Sequence, residues 1–205
     1  MLKNIIFDLG NVLIDIDFPR SEQELKRILT ADLEQKLQNI NQNDLFLQYE
    51  VGNITEDEFI ATLKSVSEHE VKNQDIIDAW NAMLIGFKPA RFEMLLRLAK
   101  KYNLYVLSNT NKTHIDWVHD DLKNNHNIVG YEANFFKKVY YSHEINLRKP
   151  NIEIYEFVLR DAQLVAEETL FIDDNFDNVE SAKKLNIQTI HHLLGNEIVD
   201  ALKDF

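Results

Sequence analysis

The sequence contains no cysteine, and this absence removes several chemistries at once. A chain without thiols forms no disulfides, has no thiolate nucleophile and offers no cysteine ligands to zinc. The compartment stays open on this evidence alone. Catalysis by this chain would have to rely on other side chains.

Long apolar runs are also missing from the sequence. No segment approaches the roughly 18 consecutive apolar residues that a membrane-spanning helix needs. The apolar run before Asp8 is too short for a secretion signal. We therefore expect a cytoplasmic protein without a membrane partner.

Positive charge is scarce, since 22 Lys and Arg stand against 34 Asp and Glu, for a net charge of −12. Such a surface repels nucleic acid, so we expect no nucleic acid partner. A small anionic substrate can still bind where a local cluster of donors outweighs the net charge. The 205 residues, 45% of them hydrophobic, suit one globular domain with an insertion, and we expect a monomer or a weak homodimer.

Short β-rich runs alternate with helical patterns in residues 1–17 and 89–205. One helical stretch, "PARFEMLLRLAKK", opens with Pro89, which is tolerated at the first helical position. Strands that alternate with helices predict an α/β fold with a parallel sheet and crossover helices. The predicted strands are "NIIFD" (4–8), "LYVLSN" (104–109), "KVYYSH" (138–143), "TLFIDD" (169–174) and "IQTIHHL" (187–193).

Residues 18–88 break this alternation, because they are rich in Glu, Gln, Leu and Lys and are predicted to be helical throughout. Ser21 with Glu24, and Thr55 with Glu58, fit the capping box that starts a helix. Gly52 fits a helix stop. The predicted organisation is a core domain of residues 1–17 and 89–205, interrupted by a helical domain of residues 18–88.

Polar side chains follow the predicted strands at the edge where parallel sheets bind ligands. An acidic pair beside another carboxylate is unstable without a cation, and Mg²⁺ would resolve the repulsion. The residues at these strand ends and in the loops that follow are Asp8, then Ser108, Asn109 and Thr110, then Lys149, and finally Asp173 and Asp174.

Four stretches, "FDLGNV", "LSNTN", "RKP" and "FIDDNFDN", resemble in order the four motifs of the haloacid dehalogenase-like (HAD) hydrolase superfamily. The resemblance implies a Rossmann-like core, and residues 18–88 resemble the helical C1 cap of one subgroup. "DLGNV" and "EVGNITEDEF" look closest to bacterial phosphatases of the α-glucose-1-phosphate phosphatase type. The implied function is a Mg²⁺-dependent phosphatase for a small phosphorylated metabolite such as a sugar phosphate.

The resemblance also implies roles for individual residues. Asp8 would be the nucleophile that forms an aspartyl-phosphate. Ser108, with Asn109 and Thr110, would hold the phosphoryl oxygens, and Lys149 would neutralise the nucleophile and the transferring group. The implied metal ligands are Asp8, the backbone carbonyl of Gly10, Asp174, and Asp173 acting through water or as an orienting group.

Gly10 departs from the family pattern. In most family phosphatases the residue two positions after the nucleophile is a second Asp, which acts as general acid and base. Glycine keeps the carbonyl but lacks the acid, a loss worth on the order of 10²–10⁴ in rate. A substitute could come from Asp15, Asp17, Glu50 or another cap residue, and Glu50 is a candidate for substrate binding or acid catalysis.

Two other functions stay open. The dehalogenases of the superfamily also lack the second Asp, and they displace halide without a metal. Asp173 and Asp174 favour phosphoryl transfer over that reaction. A catalytically weak binding or regulatory protein with the same fold is the third possibility. All seven histidines are interpreted as structural or surface residues.

Overall fold

The structure, a computed structural model, describes residues 1–42 and 44–205. Asn43, which falls within the segment predicted to be helical, lies outside the described residues. In the described part of the chain, no helix is both long enough and apolar enough to cross a membrane.

Seven strands and twelve α-helices are described. The strands are β1 (Asn4–Phe7), β2 (Ile14–Ile16), β3 (Leu84–Phe87), β4 (Asn103–Ser108), β5 (Lys138–Tyr141), β6 (Thr169–Asp173) and β7 (Gln188–His191). The helices are α1 (Phe18–Ile28), α2 (Leu33–Asn39), α3 (Leu45–Glu50), α4 (Glu56–Ser65), α5 (Asn73–Asn81), α6 (Pro89–Leu98), α7 (Lys112–His126), α8 (Tyr131–Phe135), α9 (Ser142–Ile145), α10 (Ile152–Asp161), α11 (Phe176–Lys183) and α12 (Ile198–Ala201).

Five of the strands form one parallel sheet in the order β5-β4-β1-β6-β7. These are the five strands that the sequence predicts, so the α/β fold is confirmed. The first strand lies at the centre, where Ile6 pairs with Tyr105 on one side and with Phe171 on the other. The residue that follows β1, Asp8, therefore emerges at the middle of the edge where parallel sheets bind ligands.

Alternation along the strands gives the sheet two apolar faces. Ile5 and Phe7 point to one face and pack in a cluster with residues of α6 and α7. Ile6 points to the other face and packs in a second cluster with residues of α10 and α11. Burial on both faces explains why β1, β4 and β6 read as short apolar runs.

The described residues between positions 18 and 81 form five helices, α1 to α5, with an apolar cluster of their own. The predicted capping box of α4 is confirmed, since Thr55 Oγ1 accepts from the Glu58 backbone N–H at 3.2 Å and the Glu58 carboxylate accepts from the Thr55 N–H at 2.8 Å. Gly52 follows the end of α3 with a φ of +72°. A separate cluster agrees with the proposed division into two domains, which stays a proposal.

Two local predictions are wrong. Ser21 does not cap a helix, because α1 begins at Phe18, and Ser21 Oγ instead donates to the Trp80 carbonyl at 2.5 Å. Residues 84–87 are not helical but form β3, which pairs antiparallel with β2. This pairing joins segments about 70 residues apart in the sequence, so a local pattern does not reveal it.

Candidate active site

Asp8 is held in place at the end of β1. Its backbone N–H donates to the Ile172 carbonyl at 2.8 Å, which continues the pairing with β6. Its carboxylate Oδ1 accepts from the Leu9 N–H at 2.6 Å and lies 2.8 Å from Lys149 Nζ. The side chain is 12% exposed and lines a cavity, so the carboxylate is largely buried but reachable from that cavity.

Lys149 links the ends of three strands, β1, β4 and β6. Its side chain is 1% exposed, and its Nζ lies 2.8 Å from Asp8 Oδ1 and donates to Asp173 Oδ2 at 2.7 Å and to the Leu107 carbonyl at 2.8 Å. These three partners account for the three protons of an ammonium group. Burial lowers the pKa of Lys149, but the charges of Asp173 and Asp8 outweigh this and raise it, so the ammonium stays charged.

Asp173 is fully buried and fully bonded. Its Oδ1 accepts from the Asn175 N–H at 2.8 Å and from Asn178 Nδ2 at 3.0 Å, while its Oδ2 accepts from Lys149. Because both oxygens of the Asp173 carboxylate already accept hydrogen bonds, this side chain orients Lys149 and Asn178. This placement agrees with the orienting alternative of the sequence prediction.

The carboxylates of Asp8, Asp173 and Asp174 approach one another, with an oxygen of each lying within 4.8 Å of the others. Burial raises the pKa of Asp8 to about 8; Lys149 opposes this rise, whereas the charges of Asp173 and Asp174 add to it. A hard divalent cation would offset the crowded negative charge, and carboxylate oxygens are the ligands that Mg²⁺ prefers. The donor set therefore fits the predicted magnesium ion.

Two further groups shape this cation site. The side chain of Asn11 donates to Asp174 Oδ2 at 2.9 Å, which fixes one oxygen of that carboxylate. Gly10, the other predicted ligand, lines the same cavity. Among the described residues, no donor bonds the Gly10 carbonyl oxygen, so that oxygen is available to a cation.

The three residues predicted to hold phosphate line the cavity after β4. The amide of Asn109 bonds the backbone of Lys149 twice, at 2.9 Å through Nδ2 to the carbonyl and at 2.9 Å through Oδ1 to the N–H. Ser108 is buried beside it, and the Thr110 N–H donates to Ser142 Oγ at 2.9 Å. Asn109 thus fixes the lysine loop, and the substrate roles of all three stay predictions.

Two helices begin at the cavity wall. Asn111 caps α7 by accepting from the His114 N–H at 3.1 Å, and Asn175 caps α11 by accepting from the Asp177 N–H at 2.9 Å. Helix N-termini favour anions, because their free N–H groups and dipoles point outward. This end of the cavity can therefore attract a phosphate despite the negative net charge of the chain.

The cavity has a volume of about 470 Å³, within the range of small-molecule sites. The side opposite the sheet edge is formed mainly by large apolar side chains from residues 18–88. Glu50 is the only acidic side chain that this segment contributes to the described wall, beside Phe18, Phe46, Leu47, Trp80, Met83 and Leu84.

Glu50 sits where the helical segment meets the strand-end loops. Its Oε2 lies 3.0 Å from the Arg148 guanidinium, and burial raises the pKa of its carboxyl. Its backbone carbonyl accepts from Ser142 Oγ at 2.6 Å. Asp15 and Asp17 do not line the cavity, and Asp15 instead pairs with Arg91 at 2.6 Å.

His114 lines the cavity, but its contacts are structural. Its Nε2 donates to the Trp80 carbonyl at 3.3 Å, its Nδ1 lies 3.2 Å from the Asn111 amide nitrogen, and its ring stacks on the Trp80 indole at 4.8 Å. Burial lowers the pKa of His114 to about 4. This agrees with its interpretation as a structural residue.

The sequence analysis did not predict three residues that contribute to the site. Asn178 bonds Asp173, and its signal was present as the last residue of "FIDDNFDN". Arg148 directly precedes Lys149 and pairs with Glu50. Asn11, whose φ is +53°, contacts Asp174 although the two residues are 163 positions apart. No local sequence pattern indicates this contact.

Comparison with known proteins identifies the family to which the chain belongs. The model of the haloacid dehalogenase-like hydrolase family matches residues 2–186. The chain belongs to this family. The resemblance drawn from the four motifs is therefore confirmed, and the protein is a HAD-like hydrolase.

Among curated relatives, the HAD-like chain is 30% identical over 190 residues to a D-ribitol-5-phosphate phosphatase of Bacteroides thetaiotaomicron. The alignment covers 92% of this chain and 91% of that protein. It is also 28% identical over 194 residues to the sesquiterpene phosphatase astK of Aspergillus oryzae, covering 92% of this chain and 89% of that one.

Among solved structures, the HAD family enzyme bt-2542 of Bacteroides thetaiotaomicron, in complex with magnesium and inorganic phosphate, matches with a TM-score of 0.87. The identity is 34%, covering 98% of this chain and 99% of that one. The L-2-haloacid dehalogenase RSc1362 matches with a TM-score of 0.61 at 16% identity, covering 98% of this chain and 97% of that one; this likeness concerns the fold alone.

Proposed function

We propose that this HAD-like hydrolase is a Mg²⁺-dependent phosphatase that hydrolyses a small phosphorylated metabolite through an aspartyl-phosphate. One observation carries the proposal. Lys149 holds the Asp8 carboxylate, 2.8 Å away, at the end of the central strand, within 4.8 Å of the carboxylate oxygens of Asp173 and Asp174. The magnesium and phosphate complex of bt-2542 and the names of the relatives support it.

The reaction would proceed in two displacements. An oxygen of Asp8 attacks phosphorus, a new P–O bond forms, and the ester P–O bond breaks as the alcohol leaves with a proton. Water then attacks the phosphorus of the aspartyl-phosphate, releasing inorganic phosphate and restoring the carboxylate. Asp8, Asp174 and the Gly10 carbonyl would hold Mg²⁺, which would supply positive charge beside the phosphoryl oxygens.

The surrounding residues would stabilise charge rather than perform covalent chemistry. Lys149 offsets the negative charge on Asp8 and on the transferring group. Asp173 keeps that lysine in place, and the N-termini of α7 and α11 face the phosphate end of the cavity. Ser108 and Thr110 are proposed to bind the phosphoryl oxygens, because both line this end.

The substrate is proposed to be a small phosphate monoester, and a sugar phosphate remains the predicted example. Residues 18–88 are proposed to act as a cap that excludes bulk water from this site, a gating role. Their wall is largely apolar, whereas the curated relatives named above are phosphatases of a polyol phosphate and of a sesquiterpene. A substrate panel should therefore contain both polar and apolar leaving groups.

The test combines a substitution with metal removal. Asp8→Asn should abolish phosphate release from the panel, because the amide is a poor nucleophile. Asp177→Asn is the matched control: this carboxylate is exposed beside the site, and its loss should leave turnover intact.

EDTA should suppress the activity and added Mg²⁺ should restore it. Phosphatase turnover by Asp8→Asn would remove the nucleophile assignment. Metal-independent chloride release from 2-chloropropionate would instead establish the dehalogenase reaction. Absence of turnover with every panel member would favour the binding or regulatory alternative.

A further inference from the structure

The reaction needs a proton donor that position 10 does not supply. When the ester bond breaks, an alcohol leaves as an alkoxide unless an acid protonates its oxygen. Gly10 has no side chain, and its place beside Asp8 is taken up by Ile16, whose Cδ1 would lie 2.4 Å from any Cβ added at Gly10. The acid must therefore come from another wall of the cavity.

The ionisable side chains among the described wall residues can be considered in turn: Asp8, Glu50, His114, Arg148, Lys149 and Asp174. Asp8 is the proposed nucleophile, and Asp174 is a proposed cation ligand fixed by Asn11. Lys149 has all three protons engaged, and an arginine does not release its proton in proteins. His114 uses both ring nitrogens on neighbouring groups.

Glu50 is the group that remains. We propose that the Glu50 carboxyl protonates the leaving oxygen during attack by Asp8 and then takes a proton from the water that hydrolyses the aspartyl-phosphate. This inference rests on the proposed phosphatase function. The proton balance closes over one turnover, since Glu50 gives one proton to the alcohol and regains one from water.

The contacts of Glu50 fit this role. Its backbone is fixed to the two ends of α9, because the Glu50 carbonyl accepts from Ser142 Oγ at 2.6 Å and the next carbonyl, that of Val51, accepts from Asn146 Nδ2 at 2.8 Å. Its side chain then reaches the wall of the cavity beside Arg148, the residue that precedes Lys149.

The charged groups that face the carboxyl are the cations of Arg148 and Lys149. Both lower the pKa of Glu50, but burial outweighs them and raises it. The Nε of Arg148 is buried and, among the described residues, has no hydrogen-bond partner. The terminal nitrogen of Arg148, 3.0 Å from Glu50 Oε2, orients the carboxyl.

The test compares substrates with different leaving groups. Glu50→Gln should lower kcat/KM for an alkyl phosphate from the panel by about 10²–10³, within the usual contribution of general acid catalysis. Its loss with p-nitrophenyl phosphate should be at least tenfold smaller, because p-nitrophenolate leaves without a proton. The high-pH decline of kcat/KM for the alkyl substrate should also disappear in this variant.

Glu144→Gln is the matched control, since it removes an exposed carboxylate from the neighbouring helix α9. It should change kcat/KM neither for the alkyl phosphate nor for p-nitrophenyl phosphate. Glu50→Asp keeps the carboxyl and should recover part of the alkyl activity. Thermal melts of each variant establish that the fold is retained.

A rescue experiment makes the inference sharper. Adding Gly10→Asp to Glu50→Gln would place a carboxyl beside Asp8, and Ile16→Val removes the Cδ1 that blocks it, leaving Cγ1 as the nearest atom at 3.5 Å. The triple variant should recover at least tenfold in kcat/KM for the alkyl phosphate. Recovery supports proton donation, because a purely structural role of Glu50 would not be repaired at position 10.

Two outcomes would overturn the inference. Equal losses on the alkyl and p-nitrophenyl substrates would show that Glu50 acts through substrate binding or structure, and unchanged alkyl activity would show that it has no role. Both differ from failure of the proposed function, in which the wild-type protein with Mg²⁺ would release no phosphate from p-nitrophenyl phosphate.

Discussion

The contact between the end of α3 and His143 of the short helix α9 should be unusually sensitive to a single methyl group. Gly52 lies there with a φ of +72°, and a Cβ at this position would fall 2.1 Å from the His143 carbonyl oxygen and 2.9 Å from its carbon. Both are backbone atoms, so no side-chain rotation relieves the clash. Gly52→Ala should therefore separate two segments that are now in contact.

The expected cost has two parts. A non-glycine residue in the left-handed region costs about 1–2 kcal/mol, and overpacking at a closely packed site costs about 1–3 kcal/mol. The free energy of unfolding should thus fall by about 2–5 kcal/mol, and because each kcal/mol shifts Tm by about 2–4 °C in a chain of this length, Tm should fall by about 4–20 °C.

Gly130 provides the matched control. Its φ is +66°, close to that of Gly52, but an added Cβ would meet no atom within 4 Å. Gly130→Ala should therefore lose only the conformational part, about 1–2 kcal/mol. Urea denaturation of both variants measures the difference, which isolates the packing cost at His143.

The same substitution should also reach the active site. The carbonyls of Glu50 and Val51, directly before Gly52, accept hydrogen bonds from the two ends of α9, so a displaced Gly52 pulls Glu50 away from the cavity. We expect kcat/KM for an alkyl phosphate to fall in Gly52→Ala and to remain near the wild-type value in Gly130→Ala. Equal destabilisation of the two variants, with equal activity, would refute this reasoning.

Three further predictions follow from the contacts of the site. Lys149→Met leaves the buried Asp8 and Asp173 without their cation and should lower the free energy of unfolding by about 3–5 kcal/mol, measured by urea denaturation; a stability equal to that of the wild type would contradict the buried ion pairs. Asn11→Ala releases the carboxylate that it orients and should weaken Mg²⁺ binding by about 10–100-fold in calorimetry of the resting protein; unchanged affinity would exclude this positioning role. Burial lowers the pKa of His114 from 6.5 to about 4, so between these pH values the unfolded chain binds a proton that the folded chain does not. The free energy of unfolding should therefore decline from pH 6.5 towards 4 by up to about 1.4 kcal/mol per pH unit. His114→Gln should make this decline shallower, and an identical pH dependence in both proteins would contradict the prediction.

The parts of the fold that could be predicted are those written in local patterns. Buried parallel strands appear as short apolar runs, and all five strands of the sheet were found within one or two residues of their observed ends. Asp8 and Asp173 could be placed at one edge because both come at or directly after such a run. The parallel sheet then brings them together, with Lys149 between them.

The parts that were missed depend on distant partners. Ser21 has the sequence of a helix cap, but its hydroxyl donates to the carbonyl of Trp80, so tertiary contact decides its role. The short strand β3 exists because β2 pairs with it, and neither segment shows this alone. Asn11 likewise finds Asp174 only after the sheet has formed.

Glycine at position 10 changes how catalysis depends on the rest of the fold. An acid at that position would be fixed to the same loop as Asp8 and would stay beside the nucleophile whatever residues 18–88 did. A proton donor at Glu50 belongs to α3, whose end is held at the site by contacts with Ser142, Asn146 and Arg148, while Tyr49 of the same helix bonds Thr113. Proton donation should then require that α3 is packed against the strand-end loops. Asp8 is in position without residues 18–88, whereas the Glu50 carboxyl is not. Under this arrangement, a variant that loosens α3 should still transfer phosphate from p-nitrophenyl phosphate while it loses alkyl phosphates, because only the second reaction needs a group from the far side of the cavity.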